Sequence, residues 1–216
     1  METITVSQNV LNHLRYQIVT GNFIPGQKLN ELDLASTLSV STAPIREAIR
    51  LLQNEHLVKK IPRKGTFVTE ISVEDCRQIY EVRKMIECSC IDILKSRNTT
   101  KLSTDIMKKP DAHDELLNAL TREKKYFPGL AKFHFRFCRL AGNAWLTRLY
   151  ESITSAIIRY QLIICEPGYT KSFEQEHKRL IELIENGNFN QAKKSLKNHI
   201  DNNFGLIADK IRKGQY

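Results

Sequence analysis

Two arginines one helical turn apart are the groups in this sequence best suited to read DNA. Arg46 and Arg50 are spaced i, i+4, so a helix would place both on one face, opposite an apolar face. A guanidinium can donate two parallel hydrogen bonds to guanine O6 and N7, or it can clamp a phosphate. Ser41 and Thr42 begin the same segment and can donate to phosphates or contact thymine methyls. The pattern predicts a recognition helix for the major groove.

A second basic cluster follows this helix, at Lys59, Lys60, Arg63 and Lys64. Two short β-type runs surround the turn at residues 62–65, which is typical of a hairpin. A basic hairpin beside a recognition helix can follow the DNA backbone or enter the minor groove. The charge pattern alone leaves open a plainer alternative, a solvated charged helix and turn.

The elements that must position these groups form two successive patterns. Apolar spacing predicts a helix at about residues 10–19 with Ser7 as its cap, helices at about 31–38 and 42–55, and the hairpin at 57–68. Beyond residue 71 helices are predicted at about 73–96, 111–126, 129–141, 144–165, 171–186 and 189–212. The fold class is therefore mainly α, with a winged helix-turn-helix domain at residues 1–72 and an antiparallel α-helical bundle at residues 73–216.

Charge and cysteine usage narrow the class of protein without naming a function. The net charge is +9, which suits either a nucleic-acid binder or a merely lysine-rich protein. Residues 1–72 carry 8 basic and 6 acidic side chains, so the DNA prediction depends on where the cations lie. The cysteine count is odd and no C-x-x-C pair occurs, and no apolar run approaches the roughly 20 residues of a membrane helix. We therefore expect a cytoplasmic protein with no membrane partner.

The N-terminal motifs resemble the GntR family of bacterial regulators, in its FadR-type branch. The matching segments are residues 18–21 (IVTG), 25–29 (PGQKL), 31–35 (ELDLA), 44–49 (PIREAI) and the wing-tip Gly65. The resemblance implies operator binding by the recognition helix and the wing. Ser39 stands where the family usually has Gly, so this turn must avoid positive φ or be strained. Thr42 stands where the family usually has an arginine, which implies an altered operator preference or weaker binding.

The C-terminal half is similar to the FadR-type effector-binding domain, called FCD. The matching residues are Arg83, Glu87, residues 133–134 (FH), 142–143 (GN), 176–177 (EH) and 187–188 (GN), Ala192 and His199. The family commonly binds zinc or nickel through one Asp and three His. The resemblance thus implies a metal site at His134, His177 and His199, with Leu130 in place of the Asp.

Spacing supports a shared site for two of these histidines. His177 and His199 lie 10 and 12 residues from Gly187, so antiparallel helices would hold them nearly level. Three His with an open position can hold zinc. The alternative is three polar core histidines bonded to each other or to water.

The resemblance further implies a small carboxylate effector and a homodimer that reads a short palindromic operator. Arg83 and Arg159 are the cations expected to meet that effector, although a structural ion pair with Glu87 would equally explain Arg83. Release of DNA on effector binding, as in a repressor, is the default expectation. The alternatives are an effector-independent architectural DNA binder and a three-histidine metal hydrolase. No general base stands at a recognisable spacing. Glu176 adjoins His177 but is expected to point elsewhere on the helix, so we do not predict an enzyme.

Overall fold

The computed structural model describes residues 5–101, 128–164 and 167–216 of the chain. The chain divides into two compact units, Met1–Ile71 and Ser72–Tyr216. The described residues are mainly helical with one small antiparallel sheet, which confirms the predicted fold class. The helix predicted at residues 111–126 lies outside the described residues. Among the described residues, no helix combines the length and apolarity needed to cross a membrane.

The N-terminal unit is the predicted winged helix-turn-helix. Its helices are α1 (Val6–Val19), α2 (Glu31–Thr37) and α3 (Thr42–Asn54), and its strands are β1 (Lys28–Leu29), β2 (Val58–Ile61) and β3 (Gly65–Val68). The strands pair antiparallel in the order β1-β3-β2. The strand β1 was not predicted, because two residues are too short to show the alternation that marks a strand.

Apolar burial between α1 and α3 holds this unit together. Leu14 and Ile18 of α1 and Ile45 and Leu52 of α3 are completely buried, as the helical spacing predicts. The side chain of Thr5 caps α1 by accepting from the backbone of Gln8 at 3.2 Å. The cap expected at Ser7 is therefore wrong, because α1 begins one residue before Ser7.

The turn between α2 and α3 contains a strained residue. Ser39 has φ of 54°, in the left-handed region where a side chain costs about 1–2 kcal/mol. The turn is closed by backbone hydrogen bonds from Ser39 to Ser36 and from Val40 to Ala35. Ser39 thus adopts a backbone conformation that is typical of glycine, and its side chain makes that conformation strained.

The C-terminal unit is the predicted helical bundle. Its described elements are α4 (Val73–Ser96), α5 (Pro128–Leu140), α6 (Ala144–Gln161), a 3₁₀ turn (Leu162–Ile164), α7 (Pro167–Glu185) and α8 (Phe189–Arg212). The long helix α4 packs against α5, α6 and α8, while α7 packs against α5 and α8. The backbone of α7 begins at Pro167, four residues earlier than predicted, because proline is well tolerated at the first helical position. This arrangement points side chains of α4, α5, α7 and α8 into one core.

Candidate functional site

The two predicted DNA-reading arginines lie on the exposed side of α3. Both are exposed, and the opposite side of α3 is buried. The Nε of Arg46 donates to Oε2 of Glu31 on α2 at 2.7 Å. Ion pairs this exposed contribute at most about 1 kcal/mol, so Glu31 orients Arg46 without making it unavailable to DNA.

The first turn of α3 leaves hydrogen-bonding groups accessible. Ser41 is the N-cap residue and is exposed, yet its side chain makes no capping hydrogen bond. Thr42 begins the helix and is half-buried. A helix start with uncapped backbone N–H groups attracts anions such as phosphates. The hydroxyl of Ser41, which is predicted to face DNA, therefore does not cap α3.

The tip of the wing is a tight turn between β2 and β3. Arg63 and Lys64 are exposed there, and Arg63 has φ of 63° after a proline. Gly65 has φ of 113°, and an added Cβ would lie 3.1 Å from Cε of Lys28. The wing tip therefore requires glycine at this position and presents two cations beside it.

The three predicted metal-ligating histidines converge in the core of the C-terminal unit. His134 lies on α5, His177 on α7 and His199 on α8, and all three side chains are buried. The Nε2 of His177 lies 3.0 Å from that of His134 and 3.3 Å from that of His199. The third pair, His134 and His199, is 3.2 Å apart. A metal with bonds of about 2.0–2.1 Å and ligand angles of roughly 90–110° requires donor atoms about 2.9–3.4 Å apart.

Two carboxylates fix which nitrogen of each ring faces the centre. Nδ1 of His134 lies 2.8 Å from Oε2 of Glu87, and Nδ1 of His199 lies 2.5 Å from Oε2 of Glu176. A carboxylate only accepts, so Nδ1 carries the proton in each neutral ring and Nε2 keeps its lone pair. The contact of Glu176 with His199 was not expected from the sequence. The carboxylate reaches the next helix.

This geometry fits a metal site and also a set of mutually bonded core histidines. The Nε2 atoms of His134 and His199 both carry lone pairs and face each other at 3.2 Å, where no hydrogen lies between them. His177 can donate a hydrogen bond to only one of the two. Without a metal, His177 can donate to His134 while the amide of Asn203 on α8 donates to His199. A cation among the three nitrogens would instead engage all three lone pairs.

Burial keeps His134 and His177 in the neutral form that a metal needs. Burial lowers the pKa of His134 to about 3 despite the neighbouring carboxylate of Glu87. Burial also holds the pKa of His177 well below its usual value, with the other histidines and Arg83 adding to the effect. Neutral imidazole nitrogen is the form that ligates zinc and nickel.

A buried charged network connects the cluster to α4. Nε of Arg83 donates to Oε1 of Glu87 at 2.7 Å, and the hydroxyl of Tyr150 donates to the same oxygen at 3.0 Å. Burial alone would raise the pKa of Glu87, but His134 and Arg83 hold it well below its usual value. The ion pair foreseen between Arg83 and Glu87 is thus present.

Arg83 also has donors to spare. It is completely buried, and within the described part of the chain its Nη1 and Nη2 atoms have no hydrogen-bond partner. Buried charged groups without partners are costly, so these donors suit an anionic ligand. The second predicted anion-binding residue, Arg159, is buried on α6.

The predicted metal ligands and the observed cluster are the same three histidines. Leu130, which takes the place of the family's Asp, lies on α5, but its side chain is outside the described residues. Among the described residues, the potential ligand groups that come together are the three histidines. The carboxylates of Glu87 and Glu176 bond their outer nitrogens instead. The pairing with Glu87 joins residues 47 positions apart, so spacing along the sequence gave no signal for it.

Comparison with known proteins relates both units to one class of regulators. The profile of "Bacterial regulatory proteins, gntR family" matches residues 6–68, and the profile of "FCD domain" matches residues 78–202. The HTH-type transcriptional regulator YdhC of Bacillus subtilis is 26% identical over 94% of this chain and 92% of its own. The gluconate operon transcriptional repressor of Bacillus licheniformis is 24% identical, covering 91% of this chain and 82% of its own.

Solved structures show the same fold. Escherichia coli McbR/YncC has a TM-score of 0.70 at 16% identity, covering 97% of this chain and 100% of its own. A GntR regulator from Rhodococcus has a TM-score of 0.65 at 21% identity, covering 93% and 96%. Because the two profiles together match most of the sequence, the chain belongs to the GntR family of bacterial transcriptional regulators and carries an FCD domain.

Proposed function

We propose that this regulator is a homodimeric repressor whose FCD domain holds a divalent metal and a small carboxylate effector. Residues 1–72 act as the DNA-binding domain, and residues 73–216 bind the effector and the second copy. Several relatives are named as transcriptional repressors, the gluconate operon repressor among them. This supports repression as the direction of control.

Operator recognition is assigned to α3 and the wing. Arg46 and Arg50 contact base edges or phosphates in the major groove, with Ser41 and Thr42 donating to the backbone at the helix start. Arg63, Lys64 and Gly65 bring the wing tip against the adjacent groove. This assignment is supported by the exposure of five of these residues on one helix and one hairpin, Ser41, Arg46, Arg50, Arg63 and Lys64.

The metal is assigned to His134, His177 and His199, and zinc or nickel suits three imidazoles. The observation that carries this proposal is the triangle of Nε2 atoms with edges of 3.0, 3.2 and 3.3 Å. When bound, the ion would supply a positive centre with a coordination position open to a carboxylate oxygen. Binding and orientation of the effector are then the tasks of the surrounding residues.

The effector is assigned to the buried arginines Arg83 and Arg159, the cations expected to meet its carboxylate. The unpartnered Nη1 and Nη2 of Arg83 can donate to a carboxylate in the paired geometry that arginine favours. A relative named for the gluconate operon regulates genes for a hydroxy acid, which is the same class of compound. Hydrolysis is less well supported than binding, because Glu176 bonds His199 and is not placed as a free general base.

Dimerisation is assigned to apolar side chains left exposed in the C-terminal unit. Val82 and Met85 on α4 are exposed one turn apart, as are Trp145 and Leu149 on α6. A palindromic operator requires two copies related by a twofold axis. Effector binding would change the spacing of the two DNA-binding domains, which is a coupling typically worth about 1–3 kcal/mol.

Metal content is the first test of this proposal. Protein purified without chelators should contain about one zinc or nickel ion per chain by mass spectrometry. His177→Ala should lose the metal during purification, because the variant lacks one of the three imidazole donors. His13→Ala changes an exposed histidine of α1 and should keep it. A wild-type protein that stays metal-free after reloading overturns the metal site.

DNA binding is tested on operators selected from random DNA by the wild-type protein. Arg50→Ala should weaken binding by about 10–100-fold in fluorescence anisotropy, as expected when one base or phosphate contact is lost. Lys171→Ala removes the same charge from an exposed position on α7 and should bind normally. Equal affinity of all three proteins would contradict the assignment of α3.

A further inference from the structure

An asparagine lies against the histidine cluster in a position that neither motif nor family resemblance assigns. Asn203 is on α8, one turn after His199, and its side chain is buried. Its Nδ2 lies 3.1 Å from Nε2 of His199. Its Oδ1 is buried and has no hydrogen-bond partner within the described part of the chain. A buried carbonyl oxygen without a partner is costly, so the amide is placed for a further interaction.

The spacing of the amide matches the spacing of the histidines. The three edges between Nε2 atoms are 3.0, 3.2 and 3.3 Å, and the amide nitrogen extends the set with a fourth edge of 3.1 Å. The two terminal atoms of an amide have nearly the same shape, so a half-turn about the last side-chain bond exchanges them. After that exchange, an oxygen donor stands at ligand spacing from His199.

We infer that Asn203 is the fourth protein ligand of the metal and replaces the carboxylate lost at Leu130. Without metal, the amide N–H donates to the lone pair of His199. With metal, that lone pair is engaged and the amide presents Oδ1 to the same centre. This inference rests on the proposed three-histidine site and adds a donor to it.

The exchange of a carboxylate for an amide changes the charge of the centre. Three imidazoles and an amide are all neutral, so a divalent ion would keep its full double charge, whereas an Asp ligand would reduce it. Anions bind more strongly to a more positive centre of low solvent access. A neutral ligand set therefore favours an anionic effector over neutral sugars or alcohols.

The test is the metal affinity of chelator-stripped full-length protein, measured by competition with a zinc-binding dye. Asn203→Ala should bind zinc at least about tenfold more weakly than wild type, a loss of the size seen when supporting groups are removed from metal sites. Asn203→Asp keeps an oxygen donor and should match or exceed wild type. Asn202→Ala, at the exposed neighbouring position, should leave the affinity unchanged.

Two spectroscopic readouts do not depend on affinity. In Co²⁺-loaded protein, the visible absorption bands of Asn203→Ala should differ from wild type, because one donor has changed. In ¹⁵N-labelled wild type, adding zinc should shift the side-chain amide signals of Asn203. This measurement does not depend on the folding of any variant. Equal zinc affinity and an unchanged cobalt spectrum in Asn203→Ala would overturn the inference. Absence of zinc binding by wild type would instead overturn the three-histidine site.

Discussion

Two of the clustered histidines are oriented by residues of other helices. His134 on α5 bonds Glu87 on α4, and His199 on α8 bonds Glu176 on α7. Each carboxylate fixes the proton on Nδ1, so the Nε2 lone pair faces the centre before any ion arrives. The proposed metal site would thus be arranged in advance by residues that do not themselves ligate the ion.

The first prediction concerns Glu176, whose side chain is about one third exposed. Glu176→Ala should lower zinc affinity by about 10–100-fold, the range typical for loss of a carboxylate behind a ligating histidine. Isothermal or dye-competition titration measures this, and the fold should persist because the residue is not in the core. Glu174→Ala, on the exposed side of α7, is the matched control. If both variants bind zinc equally, Glu176 does not orient His199.

The second prediction concerns the thiol of Cys76 on α4. Burial raises its pKa to about 12, and the side chain is inaccessible. Thiolate is the reactive form, so alkylation of native protein should stay slow from pH 7 to pH 9, where an ordinary cysteine accelerates. Mass spectrometry of the peptide containing Cys76 measures the rate. Unfolding in denaturant should restore fast labelling, and fast labelling of the folded protein would contradict the buried position.

The three histidines and Arg83 were predictable because the family motifs mark them, and helix spacing around Gly187 brings two of them level. Glu176 was not assigned, because its contact with His199 crosses between helices. Asn203 could have been noticed, since it follows His199 by four residues and so shares its helix face. Its buried, unpartnered oxygen is visible only in three dimensions.

At the scale of elements, the turn before α3 shows a conflict between side chain and backbone. The connection needs a left-handed residue to set α3 against α2, and Ser39 adopts it at φ of 54°. The sequence left two alternatives for this turn, a path without positive φ or a strained Ser39, and the structure shows the strained one. The recognition helix is thus positioned at a local cost in stability.

The third prediction follows from that strain. Ser39→Gly should raise the free energy of unfolding of the N-terminal unit by up to about 1 kcal/mol, since strain relief exceeds the entropy that glycine loses. The midpoint of urea unfolding, followed by circular dichroism, measures the change. Ser39→Ala is the control and should give no gain, because alanine keeps the Cβ. A midpoint lower in the glycine variant than in wild type would contradict the strain.

Most helices were predictable from apolar spacing, while their ends and the smallest strand were not. The N-terminal start of α1 is capped by Thr5 and not by Ser7. Both residue types can cap a helix, so the sequence could not distinguish them. The strand β1 exists because Lys28 and Leu29 pair with Phe67 and Thr66. Such a pairing depends on tertiary contact and leaves no local pattern.

At the scale of the whole molecule, exposed apolar side chains lead to the fourth prediction. Replacing Val82 and Met85 together by Glu should shift the protein from dimer to monomer in sedimentation velocity, because charge at an apolar contact is unfavourable. Lys178→Glu, at an exposed position on α7, is the control and should remain dimeric. Operator affinity should fall in the monomeric variant, because a palindromic operator requires two copies. An unchanged dimer in the double variant would place the interface elsewhere.

The connectivity of the three ligand-bearing helices has a consequence for the order in which the bundle loosens. The helices α7 and α8 are joined by a short turn at Gly187 and pack on each other along their length, so the chain itself keeps them paired. His134 lies 43 residues before His177, and no short turn tethers α5 to that pair. An ion shared by the three histidines would therefore connect α5 directly to the pair formed by α7 and α8. Scarcity of metal would remove this link, while the buried side chains that pack α5 on α4 and α6 would remain in place.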